Sequence, residues 1–191
     1  MMDKHQVPKL KKLGVFTLDQ GKSLGISQQD ISRLVAAKDL VRLGRGIYLH
    51  PKASLDNDVG FQIAFSKFGP DSAIGGLSAL YHYNLAEQVP GEIWVMVPPD
   101  KRTRETGYRL IRTKTILDKQ IVDEKGYRIV TVERSVLEAL KFITKIGERT
   151  AVKAAREALA TRKTTESKLS KAAKELELES LLAKHLEVIV P

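Results

Sequence analysis

Gln28, Gln29, Ser32 and Arg33 are the residues whose types and spacing suit recognition chemistry. Gln and Arg side chains bond bidentately to adenine and guanine edges in the major groove, and a small Ser lets a helix approach the bases closely. At about 100° per residue, Ile31, Leu34 and Val35 fall on one helical stripe and Gln29, Ser32, Arg33 and Ala36 on the opposite one. Further along, Arg45 sits between Gly44 and Gly46, with Arg42 and Lys52 nearby. A cation at the tip of so tight a hairpin would face a phosphate or the minor groove.

The elements that must hold these side chains can be read from their local signals. Val7, Leu10 and Leu13 recur among lysines after Pro8, which predicts a short amphipathic helix ending at Gly14. Thr17 and Gln20 have the spacing of a capping box opening a second helix, and Gly25 supplies a turn. Ser27 begins a third helix, with Asp30 near its positive N-terminal end. Residues 40–43 and 47–49 read as two strands joined by Gly44-Arg45-Gly46. The whole, from Thr17 to Leu49, is the pattern of a winged helix-turn-helix.

Charge supports a polyanion partner for this stretch. The net charge of +9 over 191 residues is uneven: residues 1–52 hold ten Lys and Arg against four Asp, while residues 53–132 hold ten of each sign. Clustered positive charge draws phosphates through counterion release. There are no cysteines, which excludes disulfides, thiolate metal sites and cysteine nucleophiles. No apolar run approaches the roughly 20 residues that span a bilayer, and no signal-peptide core is present, so a cytoplasmic location without membrane partners is expected.

The remainder predicts an α+β domain over residues 58–191, following a winged-helix domain over 1–52 and a linker between Pro51 and Asp58. Phe61, Ala64, Phe65 and Phe68 form a helical stripe stopped by Gly69-Pro70. A helix after Gly75-Gly76 turns Leu77, Leu80 and Tyr81 to the core, and strands are expected at 93–97, 108–112 and 121–130, the last folded at Lys125-Gly126. After Thr131 the chain reads as a helical tail with breaks near Gly147 and Arg162–Thr164.

Enzyme signatures are weak. His5, His50, His82 and His185 are scattered, with no metal-ligand spacing, and there is no Walker loop or nucleophile elbow, so neither a metal nor a cofactor is expected. A metal-dependent nuclease would have to gather Asp100 and Asp123 with Lys125 around a cation. A second basic cluster, Lys101, Arg102, Arg104, Arg109, Arg112 and Lys114, holds a single acid, Glu105. It is either a solvated hairpin arm or a further nucleic-acid surface.

The segments RLGRGIYL, IGGLSALYHYNL, IWVMVP and YRIVTVERSVLEAL, in this order behind a basic winged helix, resemble the AbiEi family of antitoxins from bacterial type IV toxin-antitoxin systems. The resemblance implies a bifunctional, non-enzymatic protein of a phage-defence system. Its winged helix would repress its own operon at repeated operator half-sites, with operator contact at Gln28–Arg33 and the Arg45 wing. Its C-terminal domain would counteract a nucleotidyltransferase-type toxin, usually without stable toxin-antitoxin binding. It also aligns Glu133-Arg134-Ser135 with an acid-Arg-Thr/Ser helix start, which physically reads as a capped, charge-paired N-terminus. The alternative is a transcription factor whose second domain senses a ligand or dimerises.

Overall fold

The computed structural model describes residues 7–53, 58–114 and 118–190; His5 and most of the linker before Asp58 lie outside the described residues. It is a mixed α/β chain with ten helices and two sheets among those residues. Its contacts divide into two compact units, Met1–Pro70 with Lys125–Tyr127, and Asp71–Glu124 with Arg128–Pro191.

The first unit opens with α1 (Val7–Leu13), β1 (Val15–Thr17), α2 (Leu18–Ser23) and α3 (Gln28–Ala36), followed by the hairpin β2 (Val41–Gly44) and β3 (Ile47–Leu49) and then α4 (Val59–Phe68). Strand β1 is absent from the sequence reading. Three residues cannot display alternation, yet Phe16 pairs with Tyr48 across an antiparallel ladder, completing a sheet of order β1-β3-β2. The core beneath it joins Leu10, Phe16, Ile26, Ile31, Leu34, Leu40 and Tyr48. Both caps form as their spacing predicts: Thr17 and Gln20 make a reciprocal box on α2, and Ser27 accepts from the Asp30 amide on α3. α4 packs on β1 and β3, with Gln62, Ala64 and Phe68 buried and Phe61 and Phe65 half-buried.

The second unit is a sheet of order β6-β5-β4-β8-β7 with helices. β4 (Ala73–Ile74) and β5 (Ile93–Val97) run antiparallel, β5 and β6 (Tyr108–Arg112) parallel, and β8 (Tyr127–Val130) parallel to β4, with β7 (Ile121–Glu124) at the far edge. α5 (Gly76–His82) crosses the face that carries Trp94. A β-carbon on Gly76 would stand 2.4 Å from the Trp94 ring, and its φ of +52° suits glycine alone, so only glycine lets helix and sheet meet. Ser78 Oγ then accepts from the Trp94 amide at 2.9 Å. Leu77 and Leu80 are buried as expected, but Tyr81 is 42% exposed, because the helix presents Ser78 and Ala79 to the interior instead.

α6 (Val132–Lys141) is the hub of the tail and packs against α5, α8 (Glu148–Ala160), α9 (Glu166–Glu175) and α10 (Glu179–Ile189), with α7 (Ile143–Ile146) as a short link. Its N-cap is Thr131, as its position predicts, and Thr165 caps α9. α8 buries a stripe of Ala151, Ala154, Ala155 and Ala158, small side chains that allow close helix approach. Arg134 and Glu138 are fully interior, with Arg134 Nε donating to Glu138 Oε1 at 2.9 Å and a terminal guanidinium N–H donating to the Lys119 carbonyl at 2.6 Å. Burial pushes the Glu138 carboxyl above its ordinary range, and the Arg134 charge opposes that rise. Removing one partner strands the other charge. Arg134→Ala is therefore expected to cost about 3–5 kcal/mol in urea unfolding, whereas the double change Arg134→Met with Glu138→Leu should recover most of that loss.

Candidate nucleic-acid interface

α3 carries the candidate reading face. Ile31 and Leu34 enter the core, and Gln28, Gln29, Ser32 and Arg33 line one shallow outward concavity with Ser27. The structure thus brings these four predicted residues together. Ser32 differs in detail from a base reader, because its hydroxyl donates to the Gln28 carbonyl at 2.9 Å. Its contribution is small size.

Arg33 is 76% exposed and its guanidinium lies 3.3 Å from Asp30 Oδ1. Asp30 is itself held by the Ser27 hydroxyl, which donates to Oδ2 at 2.6 Å. That hydrogen bond, with the Arg33 charge behind it, lowers the Asp30 carboxyl below its ordinary value, so it is ionised at neutral pH. Cap, acid and arginine form a relay that restricts where the guanidinium can go. The sequence reading placed Asp30 near the helix N-terminus and missed this pairing; the i,i+3 spacing to Arg33 was its only signal.

The wing is the β2–β3 hairpin. Gly46 adopts φ +71°, Arg45 is exposed in the turn, and a register shift falls between Arg42 and Gly44. The Gly46 carbonyl accepts from the Leu18 amide at 2.8 Å, so the wing is tied to the start of α2. Arg42 is exposed, but its Nε donates to the Gly44 carbonyl at 3.2 Å, folding it along its own hairpin. Lys52 does not join the α3 concavity. It lines a separate 410 Å³ hollow with Lys11, Lys38, Asp39 and His50, and the two neighbouring lysines are cations that sequence spacing did not single out.

The second basic cluster runs along the β5–β6 connection, β6 and the residues just after it. Arg102 donates to the carbonyls of Pro99 and Lys101 within its own loop, Arg109 lies 4.5 Å over the Trp94 ring, and Lys114 lines a 430 Å³ hollow with Asp71, Asp118 and Arg128. Alternation along β6 turns Arg112 to the face opposite Arg109. Arg104 is exposed. Asp100 lies in the β5–β6 connection, while Asp123 is on β7, separated from β5 by β4 and β8, and is ion-paired to Arg128 at 3.4 Å. Among the described residues no three of His, Asp and Glu gather as a metal site. No helix among them is long and apolar enough to cross a membrane.

Helix, turn, recognition-type helix and three-stranded wing sheet together define a winged helix-turn-helix. Residues 9–51, this domain almost to its limits, match the family model described as "Transcriptional regulator, AbiEi antitoxin". Over the longer chain the fold resembles the crystal structure of the RV2827C protein from Mycobacterium tuberculosis, with a TM-score of 0.56 at 13% identity, covering 96% of this chain and 78% of that one. That likeness is one of fold. No curated protein matches the sequence.

His50 is buried just after β3, at the end of the wing sheet. Its Nδ1 accepts from the Lys52 amide at 3.2 Å, and burial, with the Lys11 and Lys52 charges, holds the imidazole below its ordinary pKa. A lowered folded pKa means that the unfolded chain takes up the proton first. The stability this contributes is complete above the unfolded pKa and is lost as pH falls through the folded one. Urea unfolding at about pH 7.5 and about pH 5.5 should show wild type losing more stability than His50→Asn, which keeps an acceptor and cannot titrate.

Proposed function

We propose that the chain is a DNA-binding antitoxin of a type IV toxin-antitoxin system, acting in the cytoplasm without catalysis or a cofactor. In this reading the winged helix represses its own operon at repeated half-sites. The unit that follows counteracts a nucleotidyltransferase-type toxin without stable binding to it, as part of phage defence. The observation that carries the DNA half is the outward face of α3, where Gln28, Gln29, Ser32 and Arg33 stand together within the segment matching the regulator family. The antitoxin half is supported by the description of that family and by the order of motifs along the chain.

Each half has its own test. On DNA from upstream of the gene, Arg33→Ala is expected to cost about 1–3 kcal/mol in fluorescence anisotropy titrations and to relax preference at one base position. Arg45→Ala should weaken all sequences more evenly and lower the salt slope by about one. Unchanged titrations for both would remove this face from the account. For the antitoxin half, inducing the adjacent gene should arrest growth, and the full chain should relieve the arrest equally as wild type and as Arg33→Glu. No relief by either would contradict it. Reversal of Arg102, Arg104 and Arg109 to Glu, assayed both ways, tests the second basic cluster: loss of operator affinity or of relief assigns it a nucleic-acid role, and retention of both leaves it a solvated arm.

A further inference from the structure

Within the first unit, a hollow of about 670 Å³ is formed by α1, β1, α2, α4 and Lys125-Gly126, which DNA reading by α3 does not use. Its walls include Leu13, Leu24 and Phe65, and Leu13 remains 37% exposed there. Lys9, Lys12 and Lys125 complete it, and no acid is among the described residues that line it. We propose that it binds a small organic anion with an apolar body, a monocarboxylate of medium chain length.

Size, wall and charge point to this occupant together. The volume is in the range of small-molecule pockets, which pair apolar walls with few, placed polar groups. An apolar tail over Leu13, Leu24 and Phe65 removes surface from water, and the carboxylate meets ammonium groups from two distant parts of the chain, α1 and the residue-125 turn. A neutral lipophile would leave the lysines unused. Inorganic phosphate would use the lysines and leave the walls wet. The hollow also touches α2 through Gln20 and Leu24, the helix on which α3 rests, so its occupant contacts the support of the reading face and not the face itself.

The test is isothermal titration calorimetry of the full chain with octanoate, octan-1-ol and inorganic phosphate. Saturable octanoate binding at one site per chain is expected, with octan-1-ol and phosphate each at least about tenfold weaker. Lys12→Glu with Lys125→Glu, and separately Ser66→Trp, which fills the hollow, should each weaken octanoate by about tenfold or more while unfolding as cooperatively as wild type. The proposal is overturned if wild type shows no saturable octanoate binding, if octan-1-ol or phosphate binds as well, or if both folded variants bind octanoate as wild type does.

Discussion

The close approach of α3 to α2 is the contact on which the candidate interface depends. A β-carbon on Gly21 would lie 2.8 Å from Ile31 Cδ1, so the isoleucine occupies the space that glycine leaves open. Ile31 is fully buried, Leu34 nearly so, and Phe16 and Tyr48 stack behind them at 5.7 Å. With that side of α3 seated, the 3.6-residue repeat leaves Gln29, Ser32 and Arg33 no direction but outward. The same α2 receives the wing, through the bond from the Leu18 amide to the Gly46 carbonyl. One short helix therefore sets both the rotation of the reading face and the position of Arg45.

Electrostatics then refines what packing has placed. Asp30 is held ionised by Ser27 and restrains Arg33, which reduces the side-chain freedom an arginine must give up on binding. An acid beside an exposed arginine also lowers the local positive charge that would attract phosphate. The cations of the second basic cluster are distributed otherwise. Arg109 stacks on Trp94, Arg102 is bonded into its own loop, and Arg109 and Arg112 are turned to opposite faces of β6.

What the sequence disclosed was largely what short-range rules govern. The Thr17–Gln20 box and the Ser27 and Thr131 caps depend on neighbours three residues away, and all three form. So do the wing hairpin and the fold at Lys125-Gly126. Strands β1 and β4, three and two residues long, were invisible because they exist only through their partners. Tyr81 was assigned to the core by helical spacing, but burial of α5 is decided by which flank meets the sheet at Gly76. Arg134 read as part of a charge-paired helix start. It pairs instead with Glu138 one turn on, and Glu133 bonds the Thr164 hydroxyl, a partner that no local pattern reveals. Of the candidate site, the α3 face was legible from periodicity. Lys52, and the neighbours it gains in Lys11 and Lys38, required the folded chain.

The central claim is that α3 reads bases in the major groove through Arg33. Methylation interference on the upstream DNA tests it most directly, since a methyl on guanine N7 blocks the edge an arginine would grip. The account expects one guanine in each half-site whose methylation excludes wild-type protein and is tolerated by Arg33→Ala. Binding that is indifferent to N7 methylation at every guanine, or an interference pattern identical for both proteins, would contradict it.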